Sequence, residues 1–441
     1  MRKIKRMLNS QYKIKFNTIF GNWKSLLHTG FILCLLACLF CKTPSAQEKS
    51  EWPYFHGMYR NNKSAETGLL KEWPENGPEL LWTVSGLGSG FSTASIAKGY
   101  IFTAGRIGKQ TYVFAYDMYG KLLWKKPNGF PSETTKAFGK SNIGSRSTPT
   151  YDDGIVYHLD EFIQLTAFDY KTGKKIWYLN LREIFDAELP DWGFSPSVLI
   201  EGDRLYCSPG GKKGFMVCLN KKDGKLIWVC RDIPGTAGHS TPIFVEFGGY
   251  HQLINMSSNS VYGVDRKTGK LLWNSKFENR VSINVTDAIF HNGYVFISSG
   301  YGIGSELLKL KASGERIVPE TVWKSDLMDN HHGGVILHKG YLYGAGHDSR
   351  GWFCLDFMTG KQMWKSRGKG SLFYADDMFY FLEEKGTMKL VKATHEKYDE
   401  LSSFEVPEGG KGMYWAHPVV CGGRLYVRHA DKLYVYDIKS K

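Results

Sequence analysis

"VYGVDRKTGKLLWNSKF", residues 261 to 277, sets Asp265, a Thr-Gly-Lys turn and Trp273 in one short phrase. The phrase recurs along the chain. "FAYDMYGKLLWKK" carries Trp124, "TAFDYKTGKKIWYL" Trp177, "VCLNKKDGKLIWVC" Trp228 and "FCLDFMTGKQMWKS" Trp364. Successive tryptophans lie roughly 40 to 53 residues apart, near the period of propeller blades rather than of helical repeats. Each unit holds four short runs rich in Val, Ile, Tyr and Phe, divided by Gly, Asn and Asp turns. That grammar predicts four antiparallel strands.

The phrase reads as a hairpin. The Asp265 carboxylate is placed to accept backbone N–H bonds from two or three residues on, and Gly269 supplies the positive φ of the reversal. Two residues before the Asp position the side chain is small: Ala115, Ala167, Cys218, Gly263 and Cys354. That leaves a slot for an indole, whose burial is worth a few kcal/mol. Trp82, Trp124, Trp177, Trp228, Trp273, Trp323 and Trp364 are therefore expected to dock structurally.

Weaker copies complete the count. "LLKLKASGERIVPETVWKS" keeps Gly314 and Trp323 with Lys311 in the Asp position, and Phe404 stands where one copy has lost its Trp. The chain ends on an Asp-bearing strand (Asp437), while "PELLWTV" with Trp82 has no Asp strand before it. Pairing these two orphans closes a ring. The expectation is an all-β, eight-bladed β-propeller with the N-terminal outer strand paired to the C-terminal strands. Expected boundaries are 1–46 for a leader, 47–78 for an N-terminal extension and 79–441 for the propeller.

The repeats resemble the tryptophan-docking units of the PQQ-binding-like β-propeller family. Its members include quinoprotein alcohol dehydrogenases and the outer-membrane assembly lipoprotein BamB. The lead-in "WPYFHGMYRNNKSAETGLLKEWPENGPELLW" also resembles that of a bacterial subgroup, but Phe55 and His56 stand where Trp and Arg are usual. The resemblance implies a fold and leaves function open, because one propeller scaffold hosts many activities.

The chain has 441 residues, a formal charge of +14, 49 glycines and 15% aromatic residues. Residues 1 to 46 carry eight Lys or Arg and no acid, leaving +6 for the rest. A solvated basic surface accounts for that remainder, and no nucleic-acid motif accompanies it. The basic start followed by "TGFILCLLACLF" suits an export signal. Cleavage after Ser45 or Ala46 competes with lipidation at Cys38 of a lipobox-like "LLAC". The expected location is the periplasm, the outer membrane's surface or the exterior. A membrane contact would come only through the lipid anchor, and the propeller is expected to be monomeric. Five cysteines follow the leader (Cys207, Cys218, Cys230, Cys354 and Cys421), an odd number whose pairing is open.

The links from each Trp strand to the next inner strand gather around the channel. They nominate Arg146, Trp192, His239, Asn284, His331, His332, Tyr374, Trp415 and His417 as rim binding residues, helped by long links at 127–146 and 178–193. No catalytic residue and no metal site is nominated; His331 and His332 make a weak metal pair, because adjacent residues on a strand point to opposite sides. The quinoprotein resemblance implies pyrroloquinoline quinone, calcium, an adjacent-cysteine disulfide and a Glu-Asn-Asp calcium set. The chain has no adjacent cysteines and does not reproduce that set, so no cofactor is expected. The reading is an exported, non-catalytic propeller that scaffolds an envelope protein partner. Alternatives are a quinone-dependent alcohol or sugar dehydrogenase, and a carbohydrate or small-molecule binder using Trp192, Phe373, Tyr374 and Trp415.

Overall fold

The computed structural model describes residues 50–133, 144–314 and 316–440. The leader, with Cys38, and part of the 127–146 link lie outside the described residues. Within them, strands form eight four-stranded antiparallel sheets, each in the simple order of the chain except the last. That last sheet takes its outer strand, Glu79–Val84, from the N-terminal side; Glu79 pairs with Asp437 and Val84 with Leu433. The chain is thus an eight-bladed propeller closed as the two orphan strands required.

The repeated phrase is the clasp, and it works on two sides. Within a blade, each small residue sits directly across from the Trp: Ala115 from Trp124, Ala167 from Trp177, Cys218 from Trp228, Gly263 from Trp273 and Cys354 from Trp364. A bulge follows at the same point in each pair, which increases the local twist of the outer strand. Between blades, the indole reaches the next hairpin. Trp124 donates Nε1–H to Tyr170 O at 2.9 Å, Trp177 to Lys221 O at 3.0 Å, and Trp228 to Arg266 O at 3.1 Å. The hairpin glycine lies against that ring: a Cβ on Gly173 would stand 2.7 Å from Trp124 Cδ2. Asp265 Oδ1 accepts from Lys267 N and Thr268 N at 3.1 and 2.7 Å, holding the hairpin in shape.

The degenerate copies behave accordingly. The Lys311 copy extends into two ten-residue strands, Gly304–Ser313 and Arg316–Ser325, so no Asp-Gly turn stands beside the preceding Trp273. That indole instead donates to Gln252 Oε1 of its own blade at 2.7 Å. Phe404 takes the Trp place and packs edge-on to Trp73, against Gly77. All five cysteines of the propeller are free and buried, so no bridge forms among Cys207, Cys218 and Cys230.

Strand alternation puts the first and third turns of every blade on one face and the middle turns and inter-blade links on the other. Residues 50–78 run across the first of these, the turn face. Trp52 exchanges backbone bonds with Ile96 in the first blade's inner strand, Tyr54 reaches Asp152 at 3.1 Å, and Arg60 reaches Ile200 O at 3.2 Å. Further on, Ser64 N bonds Tyr374 O and Leu70 N bonds Ile438 O, both at 2.8 Å. Midway, Phe55 and His56 enter the channel.

Candidate functional site

A cavity of about 200 Å³ occupies the channel on the link side. Its walls are inter-blade links, and its floor is Phe55 and His56. A second cavity of about 300 Å³ lies on the turn side, lined by Tyr59, Arg60, Lys63 and Phe244 among others. His56, Asp287 and Gly334 border both, so the N-terminal segment partitions the channel.

Of the residues nominated from sequence, Arg146, Trp192, His239, His331, His332, Trp415 and His417 line the link-side cavity together. Two do not. Asn284 turns away and ties links together, donating to Ser257 O at 2.7 Å and to Phe277 O at 3.2 Å. Tyr374 stands at the far end of the inner strand Gly370–Ala375, beside Lys63 on the turn face. The link after Trp364 is so short that the strand begins at Gly370, which carries Tyr374 past the rim. Phe373, also offered as a rim aromatic, is fully buried against Trp52. His331 and His332 correct another expectation. They precede the strand Val335–His338 rather than lying on it, and both rings face the cavity, stacked at 4.9 Å.

Phe55, His56, Phe91 and Tyr301 were missed. The first two had a signal: they are the positions where the lead-in departs from its subgroup's pattern.

His56 organises the floor. Its Nδ1 is 3.2 Å from Asp287 Oδ2, and its Nε2 is 3.1 Å from His417 Nδ1. His417 Nε2 in turn lies 2.7 Å from His332 O. A carbonyl only accepts, so His417 Nε2 carries a proton and donates to it. The Asp287 contact and the contact between the rings need one proton each. Three N–H groups on two rings are one more than two neutral imidazoles hold. All three contacts are satisfied when one further proton sits within the Asp287–His56–His417 chain. Burial pushes His417 down to about 3. His56 also sits at φ +62°, a left-handed backbone that such bonds on both nitrogens help to hold. The other Asp287 oxygen accepts from Thr241 N at 2.7 Å.

The remaining imidazoles are neutral. Burial lowers His239 and His331 to about 3 and His332 well below its usual range. His239 Nδ1 meets Ser195 Oγ at 2.9 Å, while His239 Nε2 and His331 Nδ1 have no hydrogen-bond partner among the described residues. His332 Nε2 lies 2.9 Å from Glu384 Oε1 without a well-aligned bond. Arg146, lowered to about 10 by burial, remains charged at neutral pH; it donates to Gly144 O at 3.1 Å and lies over the Phe91 ring. Trp415 packs between Phe91 and His332, and Trp192 stands 39% exposed at the mouth.

These residues do not fit a calcium-held quinone. Calcium takes six to eight oxygen ligands, whereas the lining has one carboxylate with both oxygens engaged. No group of three or more His, Cys, Asp or Glu is arranged for a metal ion among the described residues.

A family model described as outer membrane protein assembly factor BamB matches residues 72–183 and 109–366. Quinoprotein alcohol dehydrogenase PedH of Pseudomonas putida is 26% identical over 313 residues, covering 66% of this chain and 47% of its own length. BamB of Shewanella oneidensis is 26% identical over 180 residues, covering 39% of this chain and 44% of its own. The chain thus spans less than half the length of these curated relatives. Among solved structures, BamB from Moraxella catarrhalis superposes with a TM-score of 0.58 at 15% identity, covering 82% of this chain and all of that one. Quinohemoprotein alcohol dehydrogenase from Comamonas testosteroni gives 0.64 at 13%, covering 89% and 81%. Both likenesses speak to fold alone.

Proposed function

Since the chain belongs to the family described as outer membrane protein assembly factor BamB, we propose that it is an exported, non-catalytic binding propeller of the cell envelope. The channel-mouth pocket is its ligand seat, and the surrounding link face is the side offered to a partner protein. The pocket carries this reading: a rigid ring holds aromatic faces, neutral imidazoles and one guanidinium around a blind cavity. The lining carboxylate is engaged by Thr241 and His56.

A second reading, a quinone-dependent dehydrogenase, draws support from the quinoprotein names among the curated relatives. Thermal-shift titration separates the two. Small sugars and carboxylates should raise the melting temperature of the intact chain, and Trp415→Ala should abolish the shift. Stabilisation by pyrroloquinoline quinone with calcium, together with alcohol-dependent dye reduction, would replace the first reading by the second.

A further inference from the structure

We propose that the link-side cavity takes a phenol, one aromatic ring bearing one hydroxyl, supplied by a free phenol or by a tyrosine side chain. This rests on the cavity being the ligand seat. Its size, its wall and its unpaired nitrogens each narrow the class.

At about 200 Å³ the cavity exceeds the roughly 150 Å³ that admits benzene and falls below the roughly 300 Å³ where drug-sized sites begin. One ring fits; a fused three-ring quinone is oversized.

The wall is built of apolar bodies. Phe91, Trp192, Tyr301 and Trp415 line it together with Ile283 and Val285. Trp415 is enclosed already, with the Phe91 ring at 5.2 Å and the His332 ring at 4.5 Å. Trp192 is 39% exposed at the mouth and has no ring contact among the described residues. Its face is free for a ligand ring, and an aromatic pair adds to what area burial alone contributes.

Polar demand in the lining is small. His239 is 6% exposed; its Nδ1 meets Ser195 Oγ at 2.9 Å and its Nε2 has no partner, nor has Nδ1 of His331. A buried nitrogen left unpaired costs free energy that a ligand can recover. Both rings are neutral at pH 7, so either nitrogen donates or accepts according to its tautomer, and a hydroxyl does both. Other polar groups of the lining are tied to the protein: Arg146 donates to Gly144 O, Ser197 Oγ accepts from Thr148 N, and Thr286 Oγ1 donates to Asn330 Oδ1. A hydrocarbon ring would leave the imidazole nitrogens unpaired. A sugar, with a hydroxyl on nearly every carbon, would set most of them against rings that offer no partner.

The test is a calorimetric titration of the full chain with p-cresol, N-acetyltyrosinamide, toluene, glucose, and pyrroloquinoline quinone plus calcium. The better phenol should bind saturably, at least about fivefold tighter than toluene or glucose. His239→Leu should bring the ratio of p-cresol to toluene affinity to about one, with toluene still bound as the sign of an intact seat. Trp192→Ala, at an exposed position, should weaken p-cresol and toluene alike by about fivefold and leave their ratio unchanged. Tightest binding by N-acetyltyrosinamide would assign the ring to a polypeptide tyrosine, and tightest binding by p-cresol to a free phenol; either upholds the class. Toluene equal to p-cresol, or tighter glucose, would overturn the class and leave the cavity as a seat. Silence from all five would overturn both. Tightest binding by the quinone would reinstate the dehydrogenase reading.

Discussion

His56 Nε2 lies 3.1 Å from His417 Nδ1, joining the N-terminal segment to the last inter-blade link across almost the whole chain. Ring closure by the strand Glu79–Val84 already fixes the circumference. The histidine contact fixes the axis. It places the floor of the link-side cavity on a segment outside the repeats, so the shape of the seat depends on residues that the blades do not encode.

The proton count on this pair has a direct spectroscopic consequence. At pH 7 nitrogen-detected imidazole spectra should give His417 as the Nε2–H tautomer. His56→Leu should cost about 1–3 kcal/mol by leaving Asp287 Oδ2 without its donor. A cycle with Asp287→Asn, followed by urea unfolding, should return a coupling of about 1–3 kcal/mol. Additive effects, or His417 protonated on Nδ1 alone, would contradict these hydrogen bonds.

Gly173 and Gly314 occupy equivalent hairpin positions with φ +65° and +59°, yet only Gly173 lies under an indole. Alanine at either site meets the left-handed penalty of about 1–2 kcal/mol. At Gly173 the new Cβ would also stand 2.7 Å from Trp124 Cδ2, whereas at Gly314 nothing lies within 4 Å. Gly173→Ala should therefore destabilise by about 2–4 kcal/mol and Gly314→Ala by about half that, measured by chemical denaturation. Equal losses would mean that the indole does not clasp adjacent blades.

The clasp was legible because it is local and repeated: Asp265, Gly269 and Trp273 are a few residues apart, and their spacing fixes strand, turn and blade together. Most of the cavity wall was legible for a related reason, since repeat phase places every link on one face. It failed where phase slipped. Tyr374 follows a link too short to reach the rim, and Asn284 sits in the right link with its side chain aimed at neighbouring carbonyls. The floor was not legible, because no period relates Phe55 and His56 to Asp287 and His417. Long-range contacts of a non-repeating segment have no counterpart elsewhere in the sequence.

Burial makes the five propeller cysteines inert. It raises Cys230 to about 11 and Cys218, Cys354 and Cys421 to about 12, with Cys207 higher still. A thiolate is the reacting species, and none is present at neutral pH. With Cys34, Cys38 and Cys41 replaced by serine, the native protein should take up no maleimide, and the urea-unfolded protein should take up five equivalents. A disulfide-linked peptide in a non-reducing digest would refute the free-thiol state.

Acid should weaken the fold for the opposite kind of group. His158, His239, His331 and His417 are each held near 3 by burial, against 6.5 for an unburied histidine. The folded state therefore keeps them neutral, while the unfolded chain protonates them as pH falls through 6.5. Their contribution is complete above 6.5 and is lost on acidification toward 3, each by up to about 1.4 kcal/mol per pH unit. Urea midpoints measured from pH 7.5 to 5 should drop steeply below 6.5. His158→Gln tests the assignment, because His158 bonds Ser145 Oγ at 3.0 Å away from the cavity lining. That variant should lose stability at pH 7.5 and show a shallower acid slope, by about one proton per molecule near pH 5. A slope unchanged by the substitution would mean that His158 charges equally in both states, which its burial forbids.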